Sequence, residues 1–116
     1  MDMRCTLKKN SDFRRLYAKG KSAVTPYLVV YCRRGREPVN RLGYTVSTKL
    51  GHAVRRNRVR RRLREIYRLN APALQQGFDI VIVARGRCLE AEYADMERAF
   101  LKACGKLGLM AEAREQ

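Results

Sequence analysis

RLGYTVSTKLGHAVRRNRVRRRLREIYRLNAPALQQGFDIVIVA, residues 41–84, sets the architecture of this chain. Residues 41–48 alternate well enough for a strand. Residues 51–53 lead into a long helix over 54–69, and residues 70–77, with Pro72, end it. Residues 78–84, FDIVIVA, are nearly all apolar, the pattern of a strand buried on both faces. Working outward, residues 27–33 (YLVVYCR) are rich in β-branched and aromatic side chains and predict another strand. Residues 35–40, with Pro38, form a turn. A short strand before Thr25 and Pro26 is weakly signalled. Towards the N-terminus, Asn10 and Ser11 can cap a helix over 12–19 that Gly20 stops. Its apolar members Phe13, Leu16 and Tyr17 share one face. Beyond 84, residues 85–87 read as a loop and 90–106 as a last helix, whose stripe Tyr93, Met96, Phe100, Cys104 and Leu107 is core. The whole is an α+β sandwich, one sheet with helices packed on it. It forms a single small domain over residues 1–110, followed by a tail, 111–116, expected to fray.

Charge narrows the function. Among 116 residues, 26 Lys and Arg face 11 acids, for a formal charge of +15. Residues 1–89 carry +17 of it and residues 90–116 carry −2. Apolar residues at 46% are too many for a disordered polycation. Runs such as 80–84 are far too short to span a bilayer, and residues 1–10 show no secretory leader. A folded domain this basic is expected to meet a polyanion, nucleic acid first and an anionic membrane surface second. Cys5, Cys32, Cys88 and Cys104 are far apart with no C-x-x-C pair, which favours reduced thiols in the cytoplasm over zinc or disulfides. Cys32 and Cys104 fall in apolar segments and pack as small hydrophobes.

The central helix is informative by angle. With 100° per residue and Val59 at zero, Leu63, Ile66 and Tyr67 lie within about 80° and make the buried stripe. Asn57, Arg61, Arg64 and Arg68 cluster within about 60° of one another on the opposite side. Arg58, Arg60 and Arg62 flank them. Like charges at i, i+4 destabilise a helix by a few tenths of a kcal/mol per pair, and between residues 55 and 68 only Glu65 offsets eight arginines. A polyanion that supplies the missing negative charge resolves this better than a solvated face. Nineteen Arg against seven Lys favours bidentate phosphate contacts. Asn57 has two readings: a contact to a base, ribose or metal-bound water, or a polar residue near a helix start. The preceding strand and Gly-containing loop disfavour a helix-turn-helix. Exposed aromatics beside cations suit single-stranded nucleic acid. Phe13, Tyr17, Tyr27 and Tyr31 are candidates, each with a core reading beside it, and Tyr31 reads as the end of its strand. No paired carboxylates or patterned histidines point to a self-sufficient nuclease. His52 is the only histidine; it reads as a loop residue or, if it meets RNA, as a proton-sensitive contact.

Three motifs in order resemble one family. LKKNSDF (7–13), Tyr17 and GKS (20–22) are similar to the opening of the bacterial ribonuclease P protein subunit. GYTVSTK (43–49) with AVRRNRVRR (53–61) resembles its Arg-Asn-Arg signature, and DIVIVAR (79–85) its later strand. Arg62 departs from the pattern, standing where the family is usually aliphatic. Its stem can lie along the core edge while its guanidinium reaches outward. The resemblance implies an α-β-β-β-α-β-α fold with a left-handed β-α-β crossover, against the general right-handed rule. It implies that RNA is the catalyst that cleaves precursor tRNA to leave a mature 5′ end, with Mg²⁺ held mainly by that RNA. The protein would bind the catalytic RNA and the 5′ leader, raising substrate affinity and lowering the Mg²⁺ requirement, with no obligate protein partner and no membrane. Carried over by motif, Arg55, Arg56, Asn57, Arg58, Arg60, Arg61 and Arg64 form the RNA-subunit face; Arg68 joins it by the angular argument. Phe13, Tyr17 and Tyr31 line the leader cleft, with Lys49 near for phosphates, and Asn57 could reach a metal through water. A different RNA-binding protein, ribosomal or an assembly factor, is the alternative, although those often carry long basic tails. A peripheral membrane protein is the third.

Overall fold

The computed structural model describes residues 6–111. Its elements are α1 (Asn10–Lys19), β1 (Lys21–Val24), β2 (Leu28–Arg34), β3 (Arg41–Thr45), α2 (Ala53–Asn70), β4 (Phe78–Ala84) and α3 (Tyr93–Lys106). This is the α-β-β-β-α-β-α order expected. Cys5 and residues 112–116 of the expected tail lie outside the described residues.

The sheet runs β1-β2-β4-β3. β1 and β4 pair antiparallel with β2, while β3 lies parallel to β4 and is joined to it across α2. Because β4 has a neighbour on each side and helices on each face, Ile80, Val81 and Ile82 are all buried, which is why FDIVIVA lacks polar alternation. One face of the sheet carries the larger core. There Leu28, Val30, Ile80 and Ile82 meet Val59, Leu63 and Ile66 of α2 and Met96, Phe100 and Cys104 of α3. The other face carries a smaller cluster, in which Leu16 of α1 packs with Leu7 and Val81.

Several boundaries differ from expectation for local reasons. α1 begins at Asn10, so Asn10 and Ser11 lie inside its first turn and Lys9 is the cap residue, without a side-chain cap bond. Gly20 does not end α1 by a left-handed turn: its φ is −79°. It is needed for space, since a Cβ there would stand 2.6 Å from the Leu16 carbonyl oxygen and 2.9 Å from that of Cys32. β3 stops at Thr45 because Ser47 turns the chain, its hydroxyl accepting from the Lys49 N–H at 3.1 Å. Gly51 then takes φ 130°, open to glycine, before α2. α3 starts at Tyr93, because residues Gly86–Glu90 form a separate 3₁₀ turn and Ala91 and Glu92 stay extended. Arg62 of α2 donates to the Ala91 carbonyl at 3.3 Å, giving a partner to the guanidinium of this half-buried arginine. Asn40, 2% exposed, ties the ends together: its amide donates to the Tyr67 hydroxyl and the Gln75 carbonyl, and its oxygen accepts from the Phe78 N–H.

Cys32, Cys88 and Cys104 are free and buried. Burial pushes the Cys88 thiol up to about 11, against a partial pull from Arg62, and the Cys104 thiol up to about 12, aided by Cys32. The folded chain therefore keeps protons that the unfolded chain, with thiols at their ordinary 9.0, releases. Above that pH the unfolded state binds fewer protons, so stability falls as pH rises. Denaturant midpoints are expected to drop between about pH 9 and 11. Peptide mapping after iodoacetamide at pH 8 should show these three thiols protected until the chain is unfolded; rapid native labelling would contradict it.

Candidate nucleic-acid interface

The smaller face of the sheet presents side chains in rows. Ser22, Tyr31, Val81 and Gly43 lie across it from β1 to β3, and Val24, Val29, Val83 and Thr45 form the next row on the same face. α1 covers part of it. Gly43 seats the Phe13 ring: a Cβ at Gly43 would be 2.6 Å from Phe13 Cζ. Glycine in mid-strand permits this close approach. Tyr31 sits in the middle of β2 rather than at its end. Tyr17, 41% exposed, stands edge-on to it, with centroids 4.9 Å apart and planes at 72°. The Tyr17 hydroxyl shares a hydrogen bond with Thr45 Oγ1 at 2.9 Å. Phe13 and Tyr17 thus line a groove of about 560 Å³, together with Arg14, Thr45, Val46 and Arg60. Tyr31 reaches this groove through Tyr17, whereas Tyr27 packs on the larger core with Arg87 over its ring.

α2 borders the groove. Val59, Leu63 and Ile66 are buried and Tyr67 is half-buried, as its angular position requires. Arg58, Arg61 and Arg64 are exposed. Arg60, a flank residue by angle, reaches the groove and donates to Asn57 Oδ1 at 2.9 Å; its role there could not be told from helical periodicity. Arg56 is partly buried and donates to the Gly51 carbonyl at 3.1 Å. Arg55, His52 and Lys49 are exposed around the entry to α2. Arg68 differs from its neighbours in the outward line, since it forks onto Glu65 at 2.8 and 3.2 Å. That hydrogen bond holds the Glu65 carboxyl below its usual range.

The electrostatics of α2 work against the isolated helix. No acid occupies its first turn, where Arg55 and Arg56 face the positive end of the helix dipole. Burial raises the Tyr44 hydroxyl, Tyr67 adds to that, and Arg64 opposes it. The surface therefore joins a ridge of uncompensated arginines to a groove with aromatic walls. Such a surface can hold phosphates on the ridge and stack unpaired bases in the groove. Among the described residues, no three His, Cys, Asp or Glu side chains come together as a metal-binding group. The Asn57 amide oxygen is engaged by Arg60.

Comparison with known proteins identifies relatives across nearly the full length. The family model described as Ribonuclease P matches residues 1–108. The ribonuclease P protein component of Natranaerobius thermophilus is 43% identical over 105 residues, covering 90% of this chain and 91% of the relative. That of Alkaliphilus oremlandii is 44% identical over 107 residues, covering 92% and 94%. Among solved structures, the Staphylococcus aureus RNase P protein superimposes with a TM-score of 0.84 at 30% identity, covering 92% of this chain and 98% of that one. The Thermotoga maritima RNase P protein gives 0.77 at 34% identity, covering 84% and 92%.

Proposed function

Because this chain belongs to the ribonuclease P protein family, and so takes the protein-subunit role in that ribonucleoprotein, we propose that its two surface features divide the RNA between them. The α2 ridge, with Arg55, Arg56, Asn57, Arg58, Arg60, Arg61, Arg64 and Arg68, binds the catalytic RNA. The groove at Phe13, Tyr17 and Tyr31 takes the single-stranded 5′ leader of precursor tRNA, and Lys49 attracts its phosphates. Catalytic groups belong to the RNA; this chain lowers the phosphate repulsion between two polyanions. Mg²⁺ stays with the RNA. The Asn57 amide oxygen accepts from Arg60. The proposal places the protein in the cytoplasm. No helix among the described residues is long and apolar enough to cross a membrane.

The observation that carries the leader assignment is Tyr17. It is exposed, yet held by Tyr31 and Thr45 in one orientation, which lowers the entropy cost of stacking a base on it. Base–aromatic stacking contributes about 1–3 kcal/mol per base. Tyr17→Ala is therefore expected to weaken binding of leader-bearing precursor tRNA by about 5- to 150-fold while leaving mature tRNA unaffected. Tyr17→Phe keeps the ring and loses only the Thr45 bond, so it should fall much less. Equal losses for precursor and mature tRNA, measured by titration with the assembled holoenzyme, would remove the leader from the groove.

A further inference from the structure

Asn40 is buried just before β3, where that strand meets α2 and the α2–β4 connection. Its side-chain amide is fully engaged. The nitrogen donates to the Tyr67 hydroxyl at 3.2 Å and to the Gln75 carbonyl at 2.8 Å. The oxygen accepts from the Phe78 N–H at 2.9 Å. The Asn40 backbone N–H donates in turn to Gln76 Oε1 at 3.0 Å. A buried polar side chain adds little net stability over an apolar one of the same shape. What it supplies is a single geometry, and the fixing of register is the best-attested use of such a group.

β3 has little else to set its register. It is five residues long, contains Gly43, and stands at the end of the sheet order. It pairs along its length with β4, while an isolated bridge joins Leu42 to Thr6. Short strands with glycine specify register weakly. Two contacts at its start pin it. Asn40 takes the Phe78 N–H, and Arg41 forks onto Asp79, its register partner, at 2.9 Å to each oxygen. The tyrosine groove depends on that register. It sets Gly43 against the Phe13 ring and brings Thr45 Oγ1 within 2.9 Å of the Tyr17 hydroxyl. A slip by one residue would send both positions to the opposite face of the sheet. Through Tyr67 the same amide also holds α2, whose Arg60 lines the groove.

We propose that Asn40 is a positioning residue for the leader groove, acting through the register of β3 and the seat of α2. It touches no RNA itself: it is 2% exposed and stands five residues from Thr45, about 16 Å at strand spacing. The effect on the leader rests on the reading of the groove given above; the lock on β3 rests on its own geometry.

The test uses the assembled holoenzyme and compares its affinity for leader-bearing precursor tRNA with that for mature tRNA. Loss of folded chain lowers both alike, so their ratio reads the groove. Asn40→Ala is expected to lower the ratio at least about 5-fold, the low end of one lost base stack. In the free protein it should shift the Gly43 and Thr45 amide resonances and weaken the NOE between the Phe13 ring and Gly43. Tyr67→Phe keeps its ring against Phe100 and removes one bond, so it should act in the same direction to a smaller extent. It decides the matter if Asn40→Ala does not fold. A wild-type ratio in the deciding variant, with Tyr17→Ala lowering it as expected, overturns the proposal. A wild-type ratio in Tyr17→Ala removes the leader from the groove instead. The Gly43 and Thr45 resonances then decide alone whether Asn40 sets β3, and unshifted resonances overturn it.

Discussion

Replacing Arg58, Arg61 and Arg64 together with glutamine is expected to weaken binding to the catalytic RNA by about 500-fold at about 0.1 M salt, if each side chain neutralises one phosphate of duplex RNA. The figure follows from counterion release: each contact contributes about 0.9 to the log–log salt slope, hence about 8-fold at that salt, and three contacts multiply. The slope itself should fall by about 2.7. All three arginines are exposed, and no salt bridge within the described residues involves them. The fold should therefore survive, and α2 gains slightly from relief of like-charge repulsion. Arg68→Gln makes the contrast. Its guanidinium is shared with Glu65, so its removal should change affinity less than removal of any one of the three. Filter binding across a salt series measures both quantities. A triple variant with wild-type slope would take the catalytic RNA off this ridge.

The second large effect is on stability. Phe100 is fully buried at the centre of the larger core, edge-on to Tyr67 with centroids 6.5 Å apart. It joins α3 to the sheet and to α2, so its loss leaves a cavity that three elements border. Phe→Ala at such a site costs about 3–5 kcal/mol, against a total of about 5–15 kcal/mol for a small domain. Phe100→Ala is expected to lower the thermal midpoint by at least about 12 °C. If RNA binds the folded chain more tightly than the unfolded one, its addition should restore part of the loss by mass action. Calorimetry with and without the catalytic RNA checks both. A midpoint within a few degrees of wild type would mean the core repacks around the gap.

How much of this was legible in the sequence differs by level. The strand–helix–strand centre was, because FDIVIVA and the Val59, Leu63, Ile66 stripe are local periodic signals. The short β1 was only weakly signalled, since its four residues become a strand by pairing with β2. The placement of β4 between β2 and β3 depends on long-range pairing that no local pattern encodes. The late start of α3 was hidden because Glu90, Ala91 and Glu92 are good helix formers by type, yet Glu90 ends a 3₁₀ turn and Ala91 and Glu92 stay extended. At the site, Phe13, Tyr17 and the arginines could be named in advance, but their relations could not. That Phe13 rests on Gly43, that Tyr17 bonds Thr45, and that Arg60 belongs to the groove while Arg68 is tied to Glu65 are all consequences of tertiary packing.

We propose that this chain serves an RNA catalyst. Precursor tRNA cleavage by a bacterial ribonuclease P RNA at low Mg²⁺, with and without the protein, tests it most directly. No cleavage is expected from the protein alone, and protein-dependent cleavage at the mature 5′ end is expected when the RNA is present. An RNA whose cleavage is unaffected by the protein at every salt concentration would contradict it.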